Sequence, residues 1–73
     1  MQTYYFSMFI SYQDFELLYR GAVRSIQVTD DNGKIIRLPA VKFIPWLSHI
    51  GIRGRFRLTL GSDNKFISLE KIA

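Results

Sequence analysis

Two stretches of this chain alternate with a period of two residues, and that alternation constrains the fold more than any other feature. From Tyr4 to Ser11, Tyr4, Phe6, Met8 and Ile10 fall on one face, and Tyr5, Ser7, Phe9 and Ser11 on the other. From Arg55 to Leu60, Phe56, Leu58 and Leu60 face one way, and Arg55, Arg57 and Thr59 the other. Successive side chains of a strand point to opposite faces, so each stretch reads as a half-buried strand. Aromatic enrichment strengthens the first assignment, although Tyr5 and Phe9 keep its second face from being cleanly polar.

The segments between these strands are punctuated by turn and capping residues. Ser11-Tyr12-Gln13-Asp14 offers a helix start, with Ser11 as cap and Asp14 in the first turn. Phe15, Leu18 and Tyr19 share one helical face, and Arg20 followed by Gly21 supplies a stop. The spacing predicts a helix of about two and a half turns. Ala22 to Thr29 reads as a strand with Ile26 and Val28 inward; Val23 is out of phase, which suggests a bulge near Arg24. Asp30-Asp31-Asn32-Gly33 is the strongest turn in the chain, since Asn-Gly supplies the positive φ of a tight hairpin. The partner strand runs from Lys34 to Leu38 with Ile36 and Leu38 inward, and Pro39 ends it.

Ala40 to Ile52 is apolar without a clear period. Pro45 breaks any long helix there, leaving a short helical turn expected around residues 44–49, packed over one end of the sheet. Gly51 and Gly54 bracket a bend. Gly61-Ser62-Asp63-Asn64 is a second turn, and Lys65 to Ile72 closes the chain as a strand with Ile67 and Leu69 inward. The expected fold class is therefore α+β: a small antiparallel sheet, or a partly closed barrel, of about five strands with one helix packed against it, in the order β-α-β-β-short helical turn-β-β.

Seventy-three residues make one domain. A chain this short buries only about 60% of its unfolded surface, so it depends on large side chains. Six Phe, four Tyr and one Trp supply them. The number of aromatics also leaves some for the surface, where they favour self-association. No apolar run approaches the ~18–20 residues of a membrane span, and the N-terminus lacks the features of a signal peptide. Cysteine is absent, which removes disulfides and thiolate metal sites. The expectation from these features is a small cytosolic protein that starts at Met1 and has no membrane partner.

Catalytic constellations are sparse. The single histidine, His49, would have to serve as base for any nucleophile, and Ser48 is only its neighbour in sequence. A structural role is the preferred reading for His49, its ring bonding a backbone carbonyl at a turn. One His and six scattered carboxylates do not give metal-ligand spacing, and Asp30 to Gly33 lack the twelve-residue pattern and closing Glu of a calcium loop. The glycines match no phosphate-cradling motif. A binding protein without a cofactor, rather than an enzyme, is the reading these observations favour.

Ten Lys and Arg against six Asp and Glu give a net charge of +4. The most informative cations lie in Gly51-Ile52-Arg53-Gly54-Arg55-Phe56-Arg57-Leu58. Arg53, Arg55 and Arg57 alternate, so they project from one strand face at about 6.6–7 Å spacing, close to that of successive phosphates. Arg24 and Arg37, on the central hairpin, would extend the patch, and Tyr5 and Phe9 would offer stacking platforms for bases of RNA or single-stranded DNA. Outward arginines on an antiparallel strand more commonly form a solvated face, paired here with Asp63 or Glu70. Arg, Tyr and Trp are also enriched where proteins meet, so a protein partner or homodimer ranks ahead of nucleic acid.

Tyr4-Tyr5-Phe6, Ile10-Ser11-Tyr12, Leu38-Pro39-Ala40, Pro45-Trp46-Leu47 and Gly51-Ile52-Arg53-Gly54-Arg55-Phe56 together resemble the domain-of-unknown-function 2835 family, as do Lys65-Phe66 and Leu69-Glu70. The resemblance implies a free-standing cytosolic bacterial domain. It implies no catalytic residue, cofactor or partner. Two function classes follow from the residues: a protein-interaction module using Tyr5, Phe9, Phe66 or the Trp46 region, and a nucleic-acid module using the arginine face.

Overall fold

A computed structural model of the chain describes residues 1–20 and 24–73, with the side chains of Leu18 and Tyr19 outside that description. The expected helix stop at Gly21, the out-of-phase Val23 on which the bulge near Arg24 rests, and the inward placing of Leu18 and Tyr19 fall outside the described residues. Five strands and one helix follow one another: β1 (Gln2–Ser11), α1 (Tyr12–Tyr19), β2 (Ser25–Thr29), β3 (Ile35–Pro39), a 3-10 segment (Ala40–Trp46), β4 (Gly51–Leu60) and β5 (Phe66–Lys71). The architecture is α+β and antiparallel.

The strands form two sheets rather than one. β1, β4 and β5 make a three-stranded sheet in the order β1-β4-β5, while β2 and β3 pair only with each other. The barrel does not close. The 3-10 segment touches both β3 and β5, and its Phe43 is fully buried, so side-chain packing fills space that a β3–β5 ladder would need. Both sheets share one core, drawn from Phe6, Phe15, Ile26, Val28, Ile36, Leu38, Phe43, Ile52, Phe56, Leu58 and Leu69 among others. At its centre Phe6 stacks on Phe56 with ring centroids 5.7 Å apart, and Phe43 meets both edge-on.

β1 and β4 pair along their whole length, from Gln2 opposite Leu60 to Ser11 opposite Gly51. The chain then passes from β1 into α1 without a loop, because Ser11 is both the last strand residue and the helix cap. Its Oγ accepts the Asp14 N–H at 3.2 Å, as the sequence predicts. Phe15, one turn in, is buried against the core. Gly51 makes this corner fit. Its φ is +110°, and a Cβ there would lie 2.0 Å from the Ile10 carbonyl oxygen. Gly51 and Gly54 therefore do not bracket a bend; both lie inside β4.

The β2–β3 hairpin closes through a loop organised by Asp30. Gly33 alone takes the positive φ, +83°, and the Asp30 carboxylate accepts the Asn32 and Lys34 N–H groups at 3.0 and 2.7 Å. Pro39 is the last residue of β3, opposite Ser25, rather than the residue beyond it. The helical turn lies earlier than the sequence suggests, at Ala40–Trp46 instead of 44–49. Ala40, Phe43 and Trp46 turn inward with a period of three, the period of a 3-10 helix, which a search for periods of two and 3.6 does not detect. In β5 the register shifts by one residue beside Thr59 and Leu60, so Ile67 turns outward while Phe66 and Leu69 turn in.

Substitution at two glycines separates steric from conformational constraint. Gly51→Ala drives a methyl into backbone and is expected to cost more than about 4 kcal/mol, enough to abolish cooperative unfolding. Gly33→Ala meets nothing within 4 Å, so only its left-handed backbone resists, at about 1–2 kcal/mol. Thermal melts followed by circular dichroism measure both.

Candidate interaction face of the long sheet

Register decides what the outward face of the long sheet carries. Tyr5 lies opposite Arg57, Ser7 opposite Arg55, and Phe9 opposite Arg53. Even-numbered residues on both strands point to the core, so the odd-numbered set stands together outside. Five of the seven residues singled out from the sequence thus share one face. The other two do not join it. Arg37 is exposed between buried Ile36 and Leu38, on the outer side of the β2–β3 sheet and across the core from Arg55. Arg24 precedes β2, where its carbonyl accepts the Ala40 N–H.

Two of the three face arginines are already paired. Arg57 contacts the Glu70 carboxylate of β5 at 2.9 Å, the cross-strand partner expected for an outward arginine. Asp63, the other expected partner, takes no part; Asp31 does instead. The Arg55 guanidinium donates to Ser7 Oγ at 3.1 Å and to Asp31 Oδ1 at 3.2 Å, and pairs with Asp31 Oδ2 through its second nitrogen. Asp31 comes from the β2–β3 turn, whose backbone is docked on the edge of β1 by the Asp31 N–H and the Tyr5 carbonyl, 2.9 Å apart. Hydrogen bonding to Arg55 holds the Asp31 carboxyl below the usual carboxylate range, and the same bond raises Arg55. Glu70 raises Arg57 in the same way, with a smaller contribution from Tyr5.

Arg53 has no carboxylate partner among the described residues, and the neighbouring Phe9 is 62% exposed. Three guanidinium charges less the Asp31 and Glu70 carboxylates leave a net +1 on this face. The sequence pattern identified the arginines but not Asp31, which lies 24 residues from Arg55 along the chain. Parity of the turn relative to β1 was the missing information.

The remaining candidates have other occupations. His49 is exposed, and its ring has no hydrogen-bond partner among the described residues, so the carbonyl contact expected of it is absent there. Ser48 makes that contact: its hydroxyl donates to the Gly51 carbonyl at 3.0 Å and does not reach toward His49. Asp30 and Asp31 serve different partners and do not converge. Among the described residues no group of three or more His, Asp or Glu could hold a metal ion. No helix of the described residues is long and apolar enough to cross a membrane.

Several of the sequence motifs noted above now have a structural place: the Ser11 cap, the Phe6–Phe56 stack, the passage from β3 into the 3-10 segment at Pro39-Ala40, and the Gly51 corner. The sequence pattern of one family matches residues 2–72, which takes in all five strands. The chain belongs to the DUF2835 family. DUF2835 is described as a protein of unknown function, so membership carries a fold-length pattern and no activity. Neither a curated protein nor a solved structure matches the chain.

The Asp31–Arg55 link gives a pH signature. Because the folded carboxyl titrates below its unfolded value of about 3.9, its stabilisation is complete above that pH and is lost as pH falls through the lower folded value. Asp31→Asn is therefore expected to lower Tm by a constant small amount at neutral pH, with the gap to the native chain closing below about pH 4. Raising the salt concentration should narrow the same gap, since the pair is exposed.

Proposed function

We propose that this DUF2835 chain is a small non-enzymatic cytosolic binding module that acts through contact with protein, either a second copy or another partner. The observation that carries the reading is the exposure of large apolar side chains on regular structure. Phe9 on β1 is 62% exposed, Ile35 on β3 63%, and Val41 on the 3-10 segment 63%. Single exposed apolar residues are ordinary, but this chain places them on rigid elements of both sheets, where a partner meets little ordering cost. The hydroxyl of Ser48 and the carboxylates of Asp30, Asp31 and Glu70 are engaged in holding the fold, which supports binding over catalysis.

RNA or single-stranded DNA binding is the second reading, favoured by the free Arg53 beside the exposed ring of Phe9. It is weakened by the internal pairing of Arg55 and Arg57. Salt dependence separates the two. For a single strand, engaging one phosphate costs about 3-fold in affinity between 50 and 200 mM salt, and three phosphates about 20-fold. Anisotropy of a labelled single-stranded RNA is expected to show either no saturable binding or the shallow dependence. A 20-fold fall that disappears in the Arg53→Ala, Arg55→Ala, Arg57→Ala triple variant would replace the protein-binding reading with the nucleic-acid one.

A further inference from the structure

The β2–β3 sheet ends in an open edge. Hydrogen bonds between Asp30 and Lys34 at one end of the hairpin, and between Arg24 and Ala40 at the other, fix which pairs of the ladder carry bonds. In an antiparallel ladder bonded and non-bonded pairs alternate, so Val28 with Ile36 and Ile26 with Leu38 are bonded. The N–H and C=O groups of Ile35 and Arg37 consequently point away from β2. Neither residue's backbone groups have a partner among the described residues beyond β3. Pro39, which lacks an N–H, occupies the next outward-pointing position and loses no ladder bond there.

This edge opens onto a cleft of about 280 Å³ that lies between the two sheets, with Tyr4, Leu60, Asn64 and Phe66 opposite β3. Two cations line it, Lys34 and Arg37, and no carboxylate does. The Lys34 ammonium sits 5.2 Å from the centre of the Tyr4 ring, and that of Lys42 sits 4.4 Å from the centre of Phe66, so a third positive group flanks the far wall. Asp63 stands on the neighbouring turn, two residues before Lys65, and pairs with neither Lys34 nor Arg37.

We infer that the open edge of β3 receives an extended acidic segment of a partner protein as the third strand of the β2–β3 sheet. The inference rests on the protein-binding reading above and names its site and partner chemistry. Ile35 and Arg37 together offer two donors and two acceptors in strand alternation, which a peptide backbone matches and a phosphate, an acceptor only, would leave half unpaired. At about 280 Å³ the cleft lies at the lower limit of small-molecule pockets, ~300–1,000 Å³, and has room for a few inserted side chains. A second copy of β3 would bring a second Lys34 and Arg37 to the same edge with no carboxylate to offset them, and like charges gathered along a strand pair repel. Alternate side chains of the guest strand meet different surroundings. One set faces Leu60 and Phe66 and is apolar; the other lies beside exposed Arg37 and is acidic.

The test uses the full chain labelled with nitrogen-15 and a capped seven-residue peptide of alternating glutamate and valine. Amide shifts should change at Ile35 and Arg37, and hydrogen exchange there should slow. The matching lysine–valine peptide should bind at least ten-fold more weakly, and Arg37→Glu should reverse that preference. Ile35→Pro, which removes a donor β2 does not use, should weaken the glutamate–valine peptide at least ten-fold while leaving the Val28 amide in place. Because Arg37 is exposed, its variant keeps the question decidable even where Ile35→Pro disturbs the hairpin. Shifts confined to the Phe9 and Arg53 face overturn the edge assignment and leave protein binding standing. A doubled mass that Ile35→Pro returns to the monomer assigns the edge to a second copy instead. No shift at millimolar peptide overturns the proposal, whereas salt-steep RNA binding overturns the reading on which it rests.

Discussion

Pairing of β1 with β4 is the constraint from which the rest of the molecule follows. The two strands are joined over ten residues each, and the stack of Phe6 on Phe56 lies inside that ladder. A slip of one residue would turn Phe6 outward and bring Tyr5 into the core, so burial of one face holds the register. The same register places Tyr5, Ser7 and Phe9 opposite Arg57, Arg55 and Arg53. The inner aromatic cluster and the outer charged face are therefore two consequences of a single alignment. Gly51 protects its far end, where the chain leaves β1 for α1 with no intervening loop and a side chain would collide with the Ile10 carbonyl.

The hairpin of β2 and β3 joins this frame by different means. Its inner residues Ile26, Val28, Ile36 and Leu38 enter the common core, and its turn is fastened to the edge of β1 by the Asp31 N–H. Asp31 then reaches Arg55, which also touches Ser7, so one arginine links β1 and β4 of the long sheet to the short one. Both partners of that ion pair are well exposed, and exposed pairs contribute little to stability. Orientation is what they supply. The pair occupies a guanidinium that the spacing of Arg53, Arg55 and Arg57 would otherwise offer to a ligand.

What the sequence discloses follows from which periods it contains. Strands whose inner residues recur every second position, as in β1, β3 and β4, are legible because one face is continuously buried. The helix start at Ser11 is legible because a cap is a local contact. The 3-10 segment is not, since Ala40, Phe43 and Trp46 recur every third position and Pro45 stands among them. β5 misleads for a related reason: its bulge reverses parity, sending Ile67 out and Phe66 in, and only pairing with β4 reveals it. Division into two sheets, and the partnership of Asp31 with Arg55, depend on how distant segments meet. Alternation locates an arginine face but does not say whether the fold has already neutralised it.

Of the four sheet edges, those of β1, β5 and β3 are treated differently. On β1 the Tyr5 carbonyl is taken by the β2–β3 turn, which blocks continuous pairing by a further strand. On β5 the bulge at Ile67 breaks the repeat, and the 3-10 segment lies against the strand. Bulges and covering segments are the ordinary means by which proteins prevent edge-to-edge association. β3 has neither over Ile35 to Arg37, and carries only the charge of Lys34 and Arg37 as a guard. A positive guard repels copies of itself and attracts an acidic strand. The edge it guards also belongs to the sheet with fewer strands, and two strands alone are marginal in water without packing behind them. A guest strand there would complete the weaker of the two sheets, so its binding energy would also hold the hairpin, and with it Asp31, against β1.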